Sequence, residues 1–252
     1  MDSLIEVNNL TKVFKEKDRV ITALKNVSFR VKSGEIFGLL GPNGAGKTTT
    51  LRIISTLMVP TEGEVTVKGY NTVTDSQKVR SSLGFLTAEM NLYDYFTVRE
   101  LLEFFARVNG MPGTETEKRI PQILKQLGLE EYADRRVDNF STGMKQKVSI
   151  ARALLPDPPI LIFDEPINGL DIMAARVVTR LIEQLRDRGK SIIVSTHNMT
   201  LAESICDRLG ILFDGELIAT GSHKDLSGQT GEERLEDIFF KLVGEDYELD
   251  QN

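Results

Sequence analysis

The octapeptide Gly41-Pro42-Asn43-Gly44-Ala45-Gly46-Lys47-Thr48 matches the pattern G-x-x-x-x-G-K-[ST] and follows the apolar run Ile36-Phe37-Gly38-Leu39-Leu40. That context demands a buried strand, a tight turn and a helix in succession, so it commits the chain to an α/β core. Glycines reach positive φ and let backbone N–H groups close on a phosphate where no Cβ could be tolerated. Lys47 supplies a point charge, and Thr48 places a hydroxyl where a phosphate-bound Mg²⁺ needs a ligand. A helix starting near Ala45 turns its positive end, roughly half a charge, toward the same anion. A plain glycine turn with a surface lysine would not need to lie between a strand and a helix.

The chain has 252 residues, enough for one large domain or a domain with a subdomain. A chain of this size buries about 70 to 75% of its unfolded surface and needs no covalent staple. Cys206 is the only cysteine, which excludes an intrachain disulfide and points to a reducing compartment. A net charge of −6 argues against a general nucleic-acid surface. The first residues lack the basic-then-apolar plan of a signal peptide, and no apolar run is long enough to cross a membrane. A chain that is soluble and cytoplasmic by itself is expected.

Apolar and polar residues alternate over Ile5 to Val7 and again over Val27 to Val31, as in half-exposed antiparallel strands, and Glu64 to Val67 adds another short one. The unbroken apolar runs Ile160 to Phe163 and Ser191 to Ser195 suit strands covered on both faces. The sheet is therefore expected to be mixed. Between about Glu89 and Pro158 the pattern becomes helical. Capping boxes are read at Thr97 to Glu100, Thr114 to Glu117 and Thr200 to Glu203, and Pro121 is expected to kink the second helix. A hairpin on Asp214-Gly215 and a last amphipathic helix carrying Leu235, Ile238, Phe239 and Leu242 complete the pattern. The expected organisation is a nucleotide-binding core with its β layer over 1–88 and 159–227, a helical insertion over 89–158, and a linker with a C-terminal helix over 228–252.

A second acidic element narrows the chemistry. Four apolar residues, Ile160 to Phe163, end in Asp164-Glu165. This puts Asp164 at the carboxyl end of a buried strand, read as lying beside the strand that feeds the phosphate loop, where it can hold Mg²⁺ with Thr48. Glu165 can then orient or deprotonate an attacking water.

These residues carry a resemblance. Phe140-Ser141-Thr142-Gly143-Met144-Lys145-Gln146 stands before a helix shortly ahead of Asp164, Gly169-Leu170-Asp171 follows it, Ser195-Thr196-His197 ends a strand, and Phe14 lies near the start. Over almost its full length the chain resembles the nucleotide-binding subunit of ABC transporters. The resemblance implies a P-loop NTPase core with a mixed sheet, an antiparallel β subdomain and an inserted α-helical subdomain. It implies ATP binding by Phe14, Gly41, Pro42, Asn43, Gly44, Ala45, Gly46, Lys47, Thr48 and Thr49, with Mg²⁺ held by Thr48, Asp164 and Glu89. Glu165 and His197 take catalytic roles, and Glu89 and Asp171 couple the site to its neighbours. Ser141, Gly143 and Met144 would touch ATP bound to an opposite subunit. Four positions depart from the family pattern: Glu89 where Gln is common, Thr142 and Met144 where the signature has Gly and Gln, and Ile167 where Thr is frequent.

The expected activity is ATP hydrolysis that drives a membrane transporter. The expected partners are membrane-spanning permease subunits and a second nucleotide-binding subunit, with the chain held peripherally on the cytoplasmic side. The wording Leu86 to Tyr93 and Gly143-Met144-Lys145 is most similar to exporters of sodium or drugs. Asn91 to Phe96 with the following helix is the candidate docking face. An ATP-switched interaction module without transport is the alternative, disfavoured by a single cassette, no heptad segment and no basic arm.

Overall fold

In the computed structural model, which describes residues 3–16, 19–87 and 95–244, period-two alternation carries the opening segment into two long antiparallel strands. In β1 (Ser3–Glu16) and β2 (Arg19–Lys32), Ile5, Val7, Leu10, Val27, Phe29 and Val31 are buried on one face, as alternation requires of a sheet with one solvated side. Strand β3 (Ile36–Leu40) is buried throughout and delivers the chain to α1 (Lys47–Ile54). Strands β4 (Glu62–Val67) and β5 (Tyr70–Asn71) complete a four-stranded antiparallel sheet in the order β2-β1-β4-β5. Helix α2 (Ser76–Arg80) then leads into β6 (Leu83–Leu86).

Three helices follow: α3 (Val98–Val108), α4 (Gly113–Leu127) and α5 (Thr142–Leu154). The second half alternates strand and helix through β7 (Ile160–Asp164), α6 (Ile172–Asp187), β8 (Ser191–Thr196) and α7 (Met199–Ile205). It ends with β9 (Arg208–Phe213), β10 (Glu216–Gly221), α8 (His223–Thr230) and α9 (Leu235–Val243). The second sheet has six strands in the order β10-β9-β3-β8-β7-β6, all parallel except the β10–β9 hairpin. The mixed sheet and the antiparallel layer are as expected. The adjacency of β7 to β3 is not: β8 lies between them, pairing Leu40 with Thr196 on one side and Asp164 with Ser195 on the other. A one-strand gap still leaves Asp164 level with the phosphate loop, because parallel strands all present their carboxyl ends on the same edge.

Helix starts differ from the sequence reading at three places. The box at Thr97 is present, with the Glu100 amide donating to the Thr97 hydroxyl at 3.2 Å and the Thr97 amide donating back to Glu100 at 2.8 Å. The box at Thr114 is not, since α4 is entered from Pro112, and α7 is capped by Asn198, which accepts from the Leu201 amide at 2.9 Å. Helix α1 starts at Lys47 with Gly46 in the left-handed region as its cap, two residues later than expected. Helix α4 continues as one helix through Pro121. The apolar stripe of α3 is also divided: Val98, Leu101, Leu102 and Ala106 are buried, whereas Phe104 and Val108 are exposed.

Helix α9 folds back on the main sheet, where Leu235, Ile238 and Phe239 cover Leu40, Leu209 and Ile211. Cys206, at the end of α7, is packed against Gly38 of β3, and burial pushes its thiol up to about 12, with Asp207 adding to the shift. It acts as a small apolar side chain. No helix among the described residues is long and apolar enough to cross a membrane.

Candidate nucleotide site

The phosphate loop is clamped from two sides. A Cβ on Gly41 would collide with the Leu212 carbonyl of β9, and one on Gly46, at φ +104°, would stand 2.6 Å from Leu24 and 2.7 Å from the Ala23 carbonyl of β2. The Asp214-Gly215 turn braces the same loop: the Gly215 amide donates to Ala45 O at 3.2 Å, and Gly215 O accepts from the Lys25 amide at 2.8 Å. Lys25 also pairs with Asp214 at 2.6 Å across that junction. Gly44 sits in open space at φ +84°, so its glycine requirement is conformational.

Lys47 is buried and its Nζ donates to Gly41 O at 2.7 Å and Pro42 O at 3.1 Å, which holds the ammonium in the mouth of the loop. Pro42, Asn43, Gly44, Gly46, Lys47, Thr48 and Thr49 line a cleft of about 170 Å³ together with Ala23 and Glu165. At its floor the Thr48 hydroxyl donates to Asp164 Oδ1 at 3.2 Å, and the Ser195 hydroxyl donates to the same oxygen at 2.5 Å. Ser195 has a second task, because both its Oγ and its carbonyl accept from the Glu165 amide at 3.1 Å. Sequence reasoning gave Ser195 no role; its only signal is its place at the end of β8, in register with Asp164.

Glu165 is held in the left-handed region at φ +49°, a conformation that costs a non-glycine residue about 1–3 kcal/mol and persists only where surroundings enforce it. Its Oε2 lies 3.0 Å from His197 Nδ1. Its Oε1 is 3.3 Å from Lys47 Nζ, within ion-pair distance but outside hydrogen-bonding geometry, so a buried carboxylate oxygen is left with an unused lone pair. Such an atom is costly unless something else occupies the site. The oxygen donors of Thr48 and Asp164, with Glu165 beside them, fit Mg²⁺, which keeps most of its ligands as water and phosphate and takes only one or two from protein. Among the described residues no group of three or more His, Cys, Asp or Glu is placed to hold a metal ion.

Ser141, Gly143, Met144, Asp171 and Phe14 are not among the residues that line this cleft. Ser141 caps α5, accepting from the Met144 amide at 3.3 Å, and Gly143 lies against α6, where a Cβ would stand 3.2 Å from that of Ala174. Asp171 caps α6, accepting from the Ala174 amide at 2.9 Å. Phe14 is on β1 opposite Ile21, with Lys12 Nζ 5.3 Å from its ring centre, and is also outside that lining. Glu89 falls outside the described residues.

The sequence model of the ABC transporter family matches residues 24–168, more than half of the chain. The chain is 40% identical over 242 residues to the ABC transporter ATP-binding protein NatA of Bacillus subtilis, covering 95% of this chain and 98% of that one. It is 42% identical over 218 residues to the Nod factor export ATP-binding protein I of Rhizobium sp. strain N33, covering 86% and 70%. Among solved structures, the ATP-binding subunit of an ABC transporter superimposes with a TM-score of 0.86 at 33% identity, over 96% of this chain and all of that one. A dimeric post-hydrolysis state of the ATP-binding cassette MJ0796, bound to ADP and Pi, superimposes with a TM-score of 0.79 at 35% identity, over 86% and 98%. With the phosphate loop, Asp164 and Glu165 assembled on one sheet edge, the chain belongs to the ABC transporter family as an ATP-binding, ATPase subunit.

Proposed function

We propose that this chain is the motor of an exporter, hydrolysing ATP between two copies of itself while docked on membrane-spanning permease subunits. The observation that carries the reading is the posture of Glu165: strained, half-buried, tied to His197 on one side, and left with a buried lone pair beside Lys47 on the other. Phosphate oxygens would be received by the loop amides and Lys47. Mg²⁺, when bound through Thr48 and Asp164, would neutralise charge on the transferring phosphate. Glu165 would accept the proton of the attacking water, and the Ser195 contacts keep its backbone from relaxing out of position. His197 serves by orienting Glu165; donation from both of its nitrogens at once, to Glu165 and to a phosphate, requires the imidazolium form.

The helix start at Ser141 offers amides, a hydroxyl and a positive dipole end to an anion, yet Ser141 is not among the residues lining the cleft of its own chain. A second subunit meeting it face to face satisfies both halves, and the dimeric MJ0796 cassette supports that arrangement. Phe14 remains the proposed base platform, and Glu89 and Asp171 the proposed coupling residues. The permease face is proposed over Asn91 to Phe96 and α3; Asn91 to Asp94 lie outside the described residues, while Tyr95 ahead of α3 and Phe104 and Val108 on it are exposed beside a groove of about 520 Å³ lined by Phe96, Glu100, Glu103 and Arg107. Relatives named for Nod factor export and linearmycin resistance support an exporter; sodium or a drug-like molecule is the proposed cargo. The divisions 1–88 with 159–227, 89–158 and 228–252 are proposed as the working units.

Glu165→Gln tests the assignment. Turnover should fall about 10²- to 10⁴-fold while ATP binding persists. Size exclusion should show the variant dimerising with ATP, and pull-down of the wild type should recover a multi-span membrane protein. Near-normal hydrolysis by the variant would sink the catalytic assignment, and recovery of ribosomes or DNA instead of a membrane protein would replace transport by switching.

A further inference from the structure

Gln146 is buried on α5, and its Nε2 donates to Pro166 O at 2.8 Å. The mechanism above makes no use of it. Pro166 follows Glu165 directly and has no N–H, so its carbonyl is the sole backbone group through which that residue can be anchored. The remainder of the turn is already fixed. The Glu165 amide is held by Ser195, Glu165 O accepts from the Asn168 amide at 3.2 Å, and Leu170 donates to Ile167 O at 3.2 Å. A displacement of Pro166 must therefore be absorbed by the ψ of Glu165, the residue already at φ +49°.

The same helix begins at Ser141. Helix α5 is 13 residues long with Val148, Ile150, Ala151 and Leu154 buried, so it moves as one piece. Its first turn is also in close contact with α6 at Gly143 and Ala174, while Met144, Ile167 and Leu170 pack on one shared cluster. We infer that Gln146 is a positioning residue that ties the Ser141 end of α5 to the backbone of Glu165, so that nucleotide held at Ser141 by a second copy sets the posture of the base in this one. The inference rests on the two-copy reading above. A glutamine suits the task because it donates a hydrogen bond without bringing a charge into the interior.

Two variants separate linkage from bulk. Gln146→Met keeps the volume and removes the donor; Gln146→Leu removes the donor with a second apolar shape and brings no charge inside. Both are compared with wild type by ATPase rate against ATP concentration, equilibrium MgATP binding and thermal melting. The expected result is kcat lowered about tenfold with ATP affinity unchanged, the cost of losing one buried hydrogen bond that orients the base. The Hill coefficient should drop from above 1 toward 1, because the coupling between sites is what the bond carries. A non-cooperative wild type, kcat within twofold of wild type in both variants, or ATP affinity and melting temperature falling together with an unchanged Hill coefficient, each overturns the linkage. A wild type that neither hydrolyses ATP nor dimerises with it removes the two-copy reading itself, an outcome visible before any variant is made.

Discussion

Lys47 spends its ammonium on the carbonyls of Gly41 and Pro42 and stands 3.3 Å from Glu165, so one side chain both shapes the loop and balances the buried carboxylate. Lys47→Ala should therefore weaken MgATP binding about 10- to 100-fold, the value of one charge-assisted hydrogen bond, and isothermal titration would measure it. Unaltered binding would contradict the role given to the loop. Ser195→Ala should behave differently. It removes a donor from Asp164 and one of two acceptors for the Glu165 amide, while Ser195 O retains the other. A several-fold loss of kcat with little change in ATP affinity is expected from steady-state kinetics, since about 1 kcal/mol of positioning is at stake. Gly41 to Thr48 and Asp164-Glu165 were legible in the sequence because their chemistry fixes both residue type and spacing. Ser195 and Gln146 were not, because each acts on a partner 31 or 20 residues away that only the fold brings close.

At the scale of elements, helix starts were read well where the cap has a single candidate and poorly where several compete. Thr97 has no rival and its box forms; at α7, Asn198 lies two residues ahead of Thr200 and takes the cap. Helix α6 is hard to read from the sequence although Val178, Leu181, Ile182 and Leu185 are spaced for one buried face; its first residues, Ile172 and Met173, are apolar but exposed and blur the stripe. The Thr97 box carries a prediction. The Thr97 amide, then its hydroxyl, holds the Glu100 carboxyl below the usual carboxylate range. A depressed folded value stabilises above the unfolded value of roughly 4.3 and ceases to do so as pH falls through the folded value. The protection factors of the amides in the first turn of α3, corrected for the intrinsic exchange rate at each pH, should accordingly fall on acidification below that point. Thr97→Ala should remove the cap, lower stability by about 1 kcal/mol and lower the melting temperature by about 2–4 °C. The Asp214-Gly215 turn predicts a different signature: Gly215→Ala forces a Cβ to 2.9 Å from Ala23 O at φ +79°, so ATP affinity should suffer with the loop it braces. Nucleotide binding equal to wild type in that variant would show that the brace is not transmitted to the loop.

For the whole molecule, strand order was the least legible property, because β3, β7 and β8 read alike as buried apolar runs and only their crossovers decide which neighbours which. The consequence reaches the site: β8, standing between β3 and β7, is what lets Ser195 and His197 meet Asp164 and Glu165. Ser141, by contrast, is not among the residues that line the cleft of its own chain. If a second copy supplies that contact, hydrolysis is bimolecular in protein although ATP binding is not. Specific ATPase activity at saturating ATP should then rise with chain concentration across a roughly hundredfold dilution series and level off as the dimer fills, while MgATP affinity measured on the dilute chain stays constant. On the proposal that its hydroxyl serves the neighbour's phosphate, Ser141→Ala should shift that curve to higher protein concentration without altering ATP binding by the monomer. Specific activity that stays flat over the series, with light scattering reporting a monomer throughout, would show that each chain completes its own site and would leave the start of α5 without a ligand to hold.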